Sequence, residues 1–144
     1  MEKTASPFNL ITSDQLGDLK NEMEKELGGK LFFGNAEELR LRFLPLNIKP
    51  FDDALSGGLA FDRVAMIVGA ESSGKTVLAM HAMKSALERG LSVAFVDAER
   101  TWTPEWAETL GLDSSKVLVT RPSSGEEAFQ HVVYLVRKQV GLIV

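Results

Sequence analysis

The sequence predicts an α/β fold: a parallel sheet covered by helices, preceded by a separate N-terminal helix. Three observations predict it. From Arg63 onward, short β-branched runs alternate with helical stretches. A glycine-rich octet, Gly69 to Thr76, stands between the first such run and the first such helix. Residues 13 to 27, by contrast, carry one apolar stripe at helical spacing.

In the N-terminal stretch Leu16, Leu19, Met23 and Leu27 recur at three and four over an otherwise charged face. Ser13 is placed to cap this helix and Gly28-Gly29 to end it. Such a stripe must be buried, either on its own domain or on a neighbour. Leu31-Phe32-Phe33, a polar stretch to Arg42, and Phe43-Leu44-Pro45 then read as a linker, so the organisation is residues 1–45 as helix and linker and 46–144 as core. Within the core the predicted order is strand Val64 to Val68, helix Lys75 to Arg89, strand Ser92 to Val96, helix Pro104 to Leu110, strand Val117 to Thr120, helix Glu126 to Val140 and a final strand Leu142-Ile143-Val144. Runs this short and apolar suit strands covered on both faces, and helical connections imply parallel pairing with right-handed crossovers. Gly90 fits a helix C-cap, and Ser124 with Glu127, just past Pro122, fits a capping box.

Composition narrows the functional classes. The 144 residues, with a formal net charge of -4 and 44% hydrophobic residues, suit one ordinary domain. Twenty acidic against 16 basic residues give no whole-chain electrostatic footprint for nucleic acid. Zero cysteines exclude disulfides, thiolate zinc sites and a cysteine nucleophile, and two isolated histidines, His81 and His131, argue against a histidine-rich metal site. The start, Met1 to Leu10, is polar, and no stretch approaches the ~18 apolar residues of a membrane span. The expectation is an intracellular, cytoplasmic protein.

Gly69-Ala70-Glu71-Ser72-Ser73-Gly74-Lys75-Thr76 satisfies G-x-x-x-x-G-K-[ST], the P-loop or Walker A pattern, between a predicted strand and a predicted helix. Backbone N–H groups of such a loop and the positive end of the helix can cradle phosphate oxygens. Lys75 would meet the β- and γ-phosphates, and the Thr76 hydroxyl supplies a hard oxygen for Mg²⁺. After the next strand comes Asp97-Ala98-Glu99. Ligands of open parallel sheets gather at the carboxyl ends of strands, so Glu99 is either a general base for the water that attacks the γ-phosphorus or a solvated loop carboxylate.

These segments resemble the RecA family of homologous-recombination ATPases. The family loop G-P-E-S-S-G-K-T is matched except at Ala70, and Asp97-Ala98-Glu99 matches its D-A-E. Pro104-Glu105-Trp106-Ala107 with Leu110-Gly111-Leu112-Asp113, and Arg121-Pro122-Ser123-Ser124-Gly125-Glu126-Glu127-Ala128, are similar to the P-x-Y-A-x-x-L-G-V-D and Q-P-x-x-G-E-Q-A that follow. Leu46 to Leu59 is a looser match to the approach to the first core strand.

The resemblance implies a RecA-like P-loop core that binds ATP and Mg²⁺. Gly69, Glu71, Ser72, Ser73, Gly74, Lys75 and Thr76 would line the phosphate site, Thr76 would be the metal ligand, and Glu99 and Lys75 would carry catalysis. Trp106 would take the place of an aromatic on adenine, the alternative being an aromatic in the core. Thr103 stands where the family has an aspartate near the adenine edge. Trp102 reads as structural, and the two histidines receive no role. The N-terminal helix, with Leu16, Leu19, Met23, Leu27 and Phe32, would dock on the next subunit of a filament on single-stranded DNA.

The family continues past Leu142-Ile143-Val144 to a metal-coordinating aspartate, to a further strand seated between this last strand and the one at Val64 to Val68, and to two DNA-binding loops. The chain is therefore expected to be the front part of a larger protein, with an incomplete core. The leading expectation is an ATP-dependent DNA recombinase. The alternatives are a RecA-fold ATPase with a helicase or repair-accessory role, and a truncated, non-catalytic nucleotide-binding module.

Overall fold

The computed structural model describes residues 10–144; the polar start at residues 1–9 lies outside the described residues. The chain divides into two compact units at Leu41/Arg42.

The first unit is helical. A single 3-10 turn, Ser13–Gln15, leads into α1, Leu16–Leu27. The cap is Thr12 rather than the expected Ser13: the Gln15 side chain reaches back to accept from the Thr12 N–H at 3.0 Å. Gly28 ends the helix with a positive φ of 72°, a backbone that favours glycine. Beyond it the chain folds back on α1, because Glu24 Oε1 accepts from both Lys20 Nζ (2.9 Å) and Leu31 N–H (2.8 Å). No α1 residue is buried. Leu16, Leu27 and Phe32 are exposed, while Leu19 and Met23 are half-buried.

The second unit holds the α/β core. Phe43–Leu44 (β1), at the end of the stretch read as a linker, pairs antiparallel with Leu59–Ala60 (β2), with α2, Lys49–Ala54, between them. Asp52 closes this ribbon by accepting from the Leu46 and Ile48 N–H groups. Gly58 is required at its corner, since its φ is 123° and a Cβ there would overlap the Leu44 carbonyl. Leu44 and Leu46 are thereby buried.

After the glycine loop, α3 spans Lys75–Glu88, followed by β3 (Val93–Val96), α4 (Pro104–Thr109), β4 (Val117–Thr120), α5 (Gly125–Arg137) and β5 (Leu142–Ile143). The sheet is parallel in the order β4-β3-β5, with Val93 opposite both Val117 and Leu142. The predicted helix-strand alternation is present, and α5 starts as expected, with Ser124 Oγ accepting from Glu127 N–H at 3.2 Å. The return bond of the capping box differs: the Glu127 carboxylate accepts from the N–H of Ser123, one residue earlier.

The core joins Leu44 of β1, Met80, Met83 and Ala86 of α3, Val93 and Phe95 of β3, and Trp102, Ala107 and Leu112 around α4. Burying one such large apolar side chain contributes roughly 1.5–3 kcal/mol. Trp102 lies 5.2 Å from Phe95 between ring centroids, at 42°, within the favoured range of aromatic pairs.

Two expectations about strands are corrected. β3 alone is covered on both faces over most of its length; β4 lies at the sheet edge and leaves Leu118 exposed. Val64 to Val68, moreover, forms no strand. A strand exists through its ladder, and this run pairs with no other strand among the described residues; β5 bonds only to β3. Its side chains face solvent instead, Val64 being 100% exposed. Among the described residues the parallel sheet stops at β5, without the strand expected at Val64 to Val68. Hydrogen exchange checks this directly: backbone amides of residues 64–68 should exchange at nearly the intrinsic rate, while those of Val93 to Val96 should be strongly protected.

Candidate functional site

Residues 69–74 form an irregular loop at the start of α3. Ser73 N–H donates to the Ala70 carbonyl at 3.3 Å, and Ser72 and Gly74 take left-handed backbone conformations, φ 59° and 89°. A Cβ at Gly69 would lie 2.6 Å from Ser73 Oγ, so a side chain there would turn the Ser73 hydroxyl away from its present place over the loop. Gly74 is the N-cap of the 14-residue α3 and offers no side chain to its first-turn amides. Those N–H groups and the positive end of the helix are therefore directed at the loop.

Lys75 folds over the loop, its Nζ donating to the carbonyls of Ala70 (2.8 Å) and Gly69 (3.1 Å). Glu71, Ser72, Ser73 and Thr76 are exposed beside it. The structure thus brings Gly69, Ala70, Ser73 and Lys75 together. Chemically the cluster suits an anion: an anionic oxygen can replace the neutral carbonyls as acceptor from Lys75, with a charge-assisted bond about twice as strong. The Thr76 hydroxyl is one accessible hard oxygen for a divalent cation, compatible with Mg²⁺ holding waters and phosphate oxygens as its other ligands. Among the described residues no cluster of three or more histidine, cysteine or acidic side chains could hold a metal ion.

The second group lies past β3. Asp97 N–H still donates to the Thr120 carbonyl at 2.8 Å, continuing the ladder with β4, and the chain then turns at Ala98-Glu99. The Asp97 carboxylate, 1% exposed, accepts from Thr101 N–H (2.8 Å) and Trp102 N–H (3.1 Å), with Arg121 Nε at 3.4 Å. Burial works to raise its pKa, but the Thr101 and Trp102 amides and the Arg121 charge outweigh burial and hold it below the ordinary aspartate value. Glu99 stands exposed at the turn. Thr103 is the exposed N-cap of α4. Trp106, on α4, is 48% exposed and does not pack in the core, whereas Trp102 at 6% is a core residue.

Asp97 and Arg121 each stand within a motif that the sequence shows, and neither had an expected task. The available signal was an aspartate four residues before a threonine at a strand end, the pattern of a carboxylate that accepts from its own following loop. His131 is a bystander, with Nδ1 3.2 Å from Thr120 Oγ1.

A parallel sheet, a glycine loop opening a long helix and a carboxylate turn after the next strand define an α/β protein of the open-sheet class, with its polar loops at element ends. Comparison with known proteins narrows this class. The family model described as the RecA N-terminal domain matches residues 16–144. The chain is 42% identical over 119 residues to Protein RecA of Gloeothece citriformis (81% of this chain, 33% of that protein) and 40% identical over 124 residues to Protein RecA of Crocosphaera subtropica (85% and 36%). It is also 40% identical over 110 residues to Protein RecA of a Synechocystis species (76% and 31%). The chain belongs to the RecA family, and it spans about a third of the length of these relatives.

The lowered Asp97 pKa fixes a pH dependence. A carboxyl group with a folded pKa below its unfolded value of about 3.9 contributes its stability in full above that value and loses it as pH falls through the folded pKa. Chemical denaturation should show stability falling below about pH 4. Asp97→Asn should cost about 1–3 kcal/mol at neutral pH and flatten that acid limb.

Proposed function

We propose that residues 69–76 bind the phosphates of Mg²⁺-ATP and that Glu99 promotes hydrolysis, within the front part of an ATP-dependent DNA recombinase. The carrying observation is the left-handed loop at the uncapped start of α3 with Lys75 folded over it, in a chain of the RecA family.

In this reading the amides of Glu71 to Thr76 and the Lys75 ammonium take the phosphate oxygens, and the hydroxyl of Thr76 is the protein's ligand to Mg²⁺. Bound there, the ion would neutralise charge on the β- and γ-phosphates. Glu99 accepts a proton from water as the water oxygen bonds to the γ-phosphorus. The bond from that phosphorus to the bridging oxygen breaks, and the oxygen leaves with ADP. The Trp106 indole offers a face for the adenine, and Thr103 supplies a hydroxyl at its edge. Exposure of Trp106 at the start of α4 supports that role over a core one.

Self-association into a filament on single-stranded DNA is the corresponding role of the N-terminal unit. It is supported by an α1 that buries none of its own residues and exposes Leu16, Leu27 and Phe32 nearby. No helix among the described residues is long and apolar enough to cross a membrane, and a cytoplasmic location goes with this function.

Two variants test the chemistry. Lys75→Ala should weaken equilibrium binding of a non-hydrolysable Mg²⁺-ATP analogue at least ~10-fold, the loss of one charge-assisted contact; unchanged affinity would reject the phosphate site. In the complete protein, Glu99→Gln should leave binding intact while turnover falls ~10²–10⁴-fold. Normal turnover in a folded Glu99→Gln protein would reduce Glu99 to a loop carboxylate.

A further inference from the structure

Between β3 and α4 the side-chain bonds that shape the chain converge on the Asp97 carboxylate and on Arg121, the residue after β4. Asp97 accepts from the amides of Thr101 and Trp102, and Arg121 Nε lies 3.4 Å from its Oδ2. The same guanidinium donates from Nη2 to the Trp102 carbonyl at 3.0 Å. One planar group therefore spans the first and last residues of the loop 97–102. Trp102 is itself held in the core against Phe95, so the far end of the loop cannot drift. At the apex Glu99 is exposed and has no side-chain partner among the described residues, and Arg100 follows with φ 58°. A base that must meet a water is best left unpaired on a backbone that does not move.

We propose that Arg121 is a positioning residue for Glu99: by clasping the Asp97 carboxylate and the Trp102 carbonyl together, it holds the turn that carries the base and the chain entering α4. The inference rests on Glu99 being the base. The Arg121 side chain is 54% exposed, so solvent screens its charge in part, and the buried Asp97 retains its two backbone donors without it. In this chain a guanidinium joins carboxylate and carbonyl where the family pattern has glutamine. Lysine keeps the charge but cannot reach carboxylate and carbonyl together, while glutamine can reach the carbonyl and leaves Asp97 without a counter-charge.

The test is steady-state ATP hydrolysis by the complete protein carrying Arg121→Gln, Arg121→Lys, Glu99→Gln, or Arg121→Gln with Glu99→Gln. Arg121→Gln should lower kcat ~10-fold, with KM within about two-fold of the parent, and Arg121→Lys should fall between. In the Glu99→Gln background, Arg121→Gln should cause no further loss, because its effect passes through the base. Thermal midpoints of both Arg121 variants fix a temperature at which each is fully folded, and kcat is compared there, which separates positioning from folding. Parental kcat in the Arg121 variants, or losses that multiply in the double variant, would overturn the clasp while leaving Glu99 as the base. Full activity in Glu99→Gln would remove the base assignment and this inference with it.

Discussion

Asp97 ends the central strand with a carboxylate that water hardly reaches, at 1% exposure. Removing such a charge from water costs several kcal/mol unless hydrogen bonds and a counter-charge replace the lost solvation. Here the replacements are the amides of Thr101 and Trp102 and the guanidinium of Arg121. Because those partners come from the following loop, from the core tryptophan and from the end of the neighbouring strand, satisfying one charge settles the positions of all three. Trp102 in turn shares its core with Met80 and Met83 of α3, the helix that begins at the glycine loop. The buried carboxylate and its donors tie the carboxyl end of β3 to the elements on which the candidate site stands.

The glycine loop meets a different electrostatic demand. Lys75 satisfies its ammonium on two of the loop's own carbonyls, and the first amides of α3 have no side-chain acceptor at their cap. Neutral carbonyls are weaker partners for a cation than phosphate oxygens are. An anion entering the loop would thus find its donors already directed and would displace only a modest interaction. The shape that permits this depends on left-handed backbone at Ser72 and Gly74.

Sheet edges divide the exposed apolar surface. β4 presents Leu118 to solvent, and α5 packs against β3 and β5 yet buries only Leu135, leaving Phe129, Tyr134 and Val136 exposed. Val64, Met66 and Val68 add a second apolar surface where a ladder is missing. In the N-terminal unit, the ion pair and amide bond of Glu24 shape the turn after α1 without covering its stripe.

Helices α1, α3 and α5, with the starts of α3 and α5 within a residue, and the parallel strands β3 and β4 were legible because their signals are local: apolar spacing at three and four, a serine three residues before a glutamate, β-branched runs between them. The glycine motif was legible for the same reason, since a loop of eight residues carries its own geometry. Val64 to Val68 has as clear a strand pattern as Val117 to Thr120, but only the second has a partner strand, and a ladder bond cannot be read from one strand alone. The clasp of Asp97 by Arg121 was equally invisible. The sequence by itself determined helices α1, α3, α4 and α5 and where the glycine loop falls; the tertiary structure alone decided which apolar runs become strands and which carboxylate is buried, because both depend on a register that brings Val96 opposite Thr120 and so sets Arg121 beside Asp97.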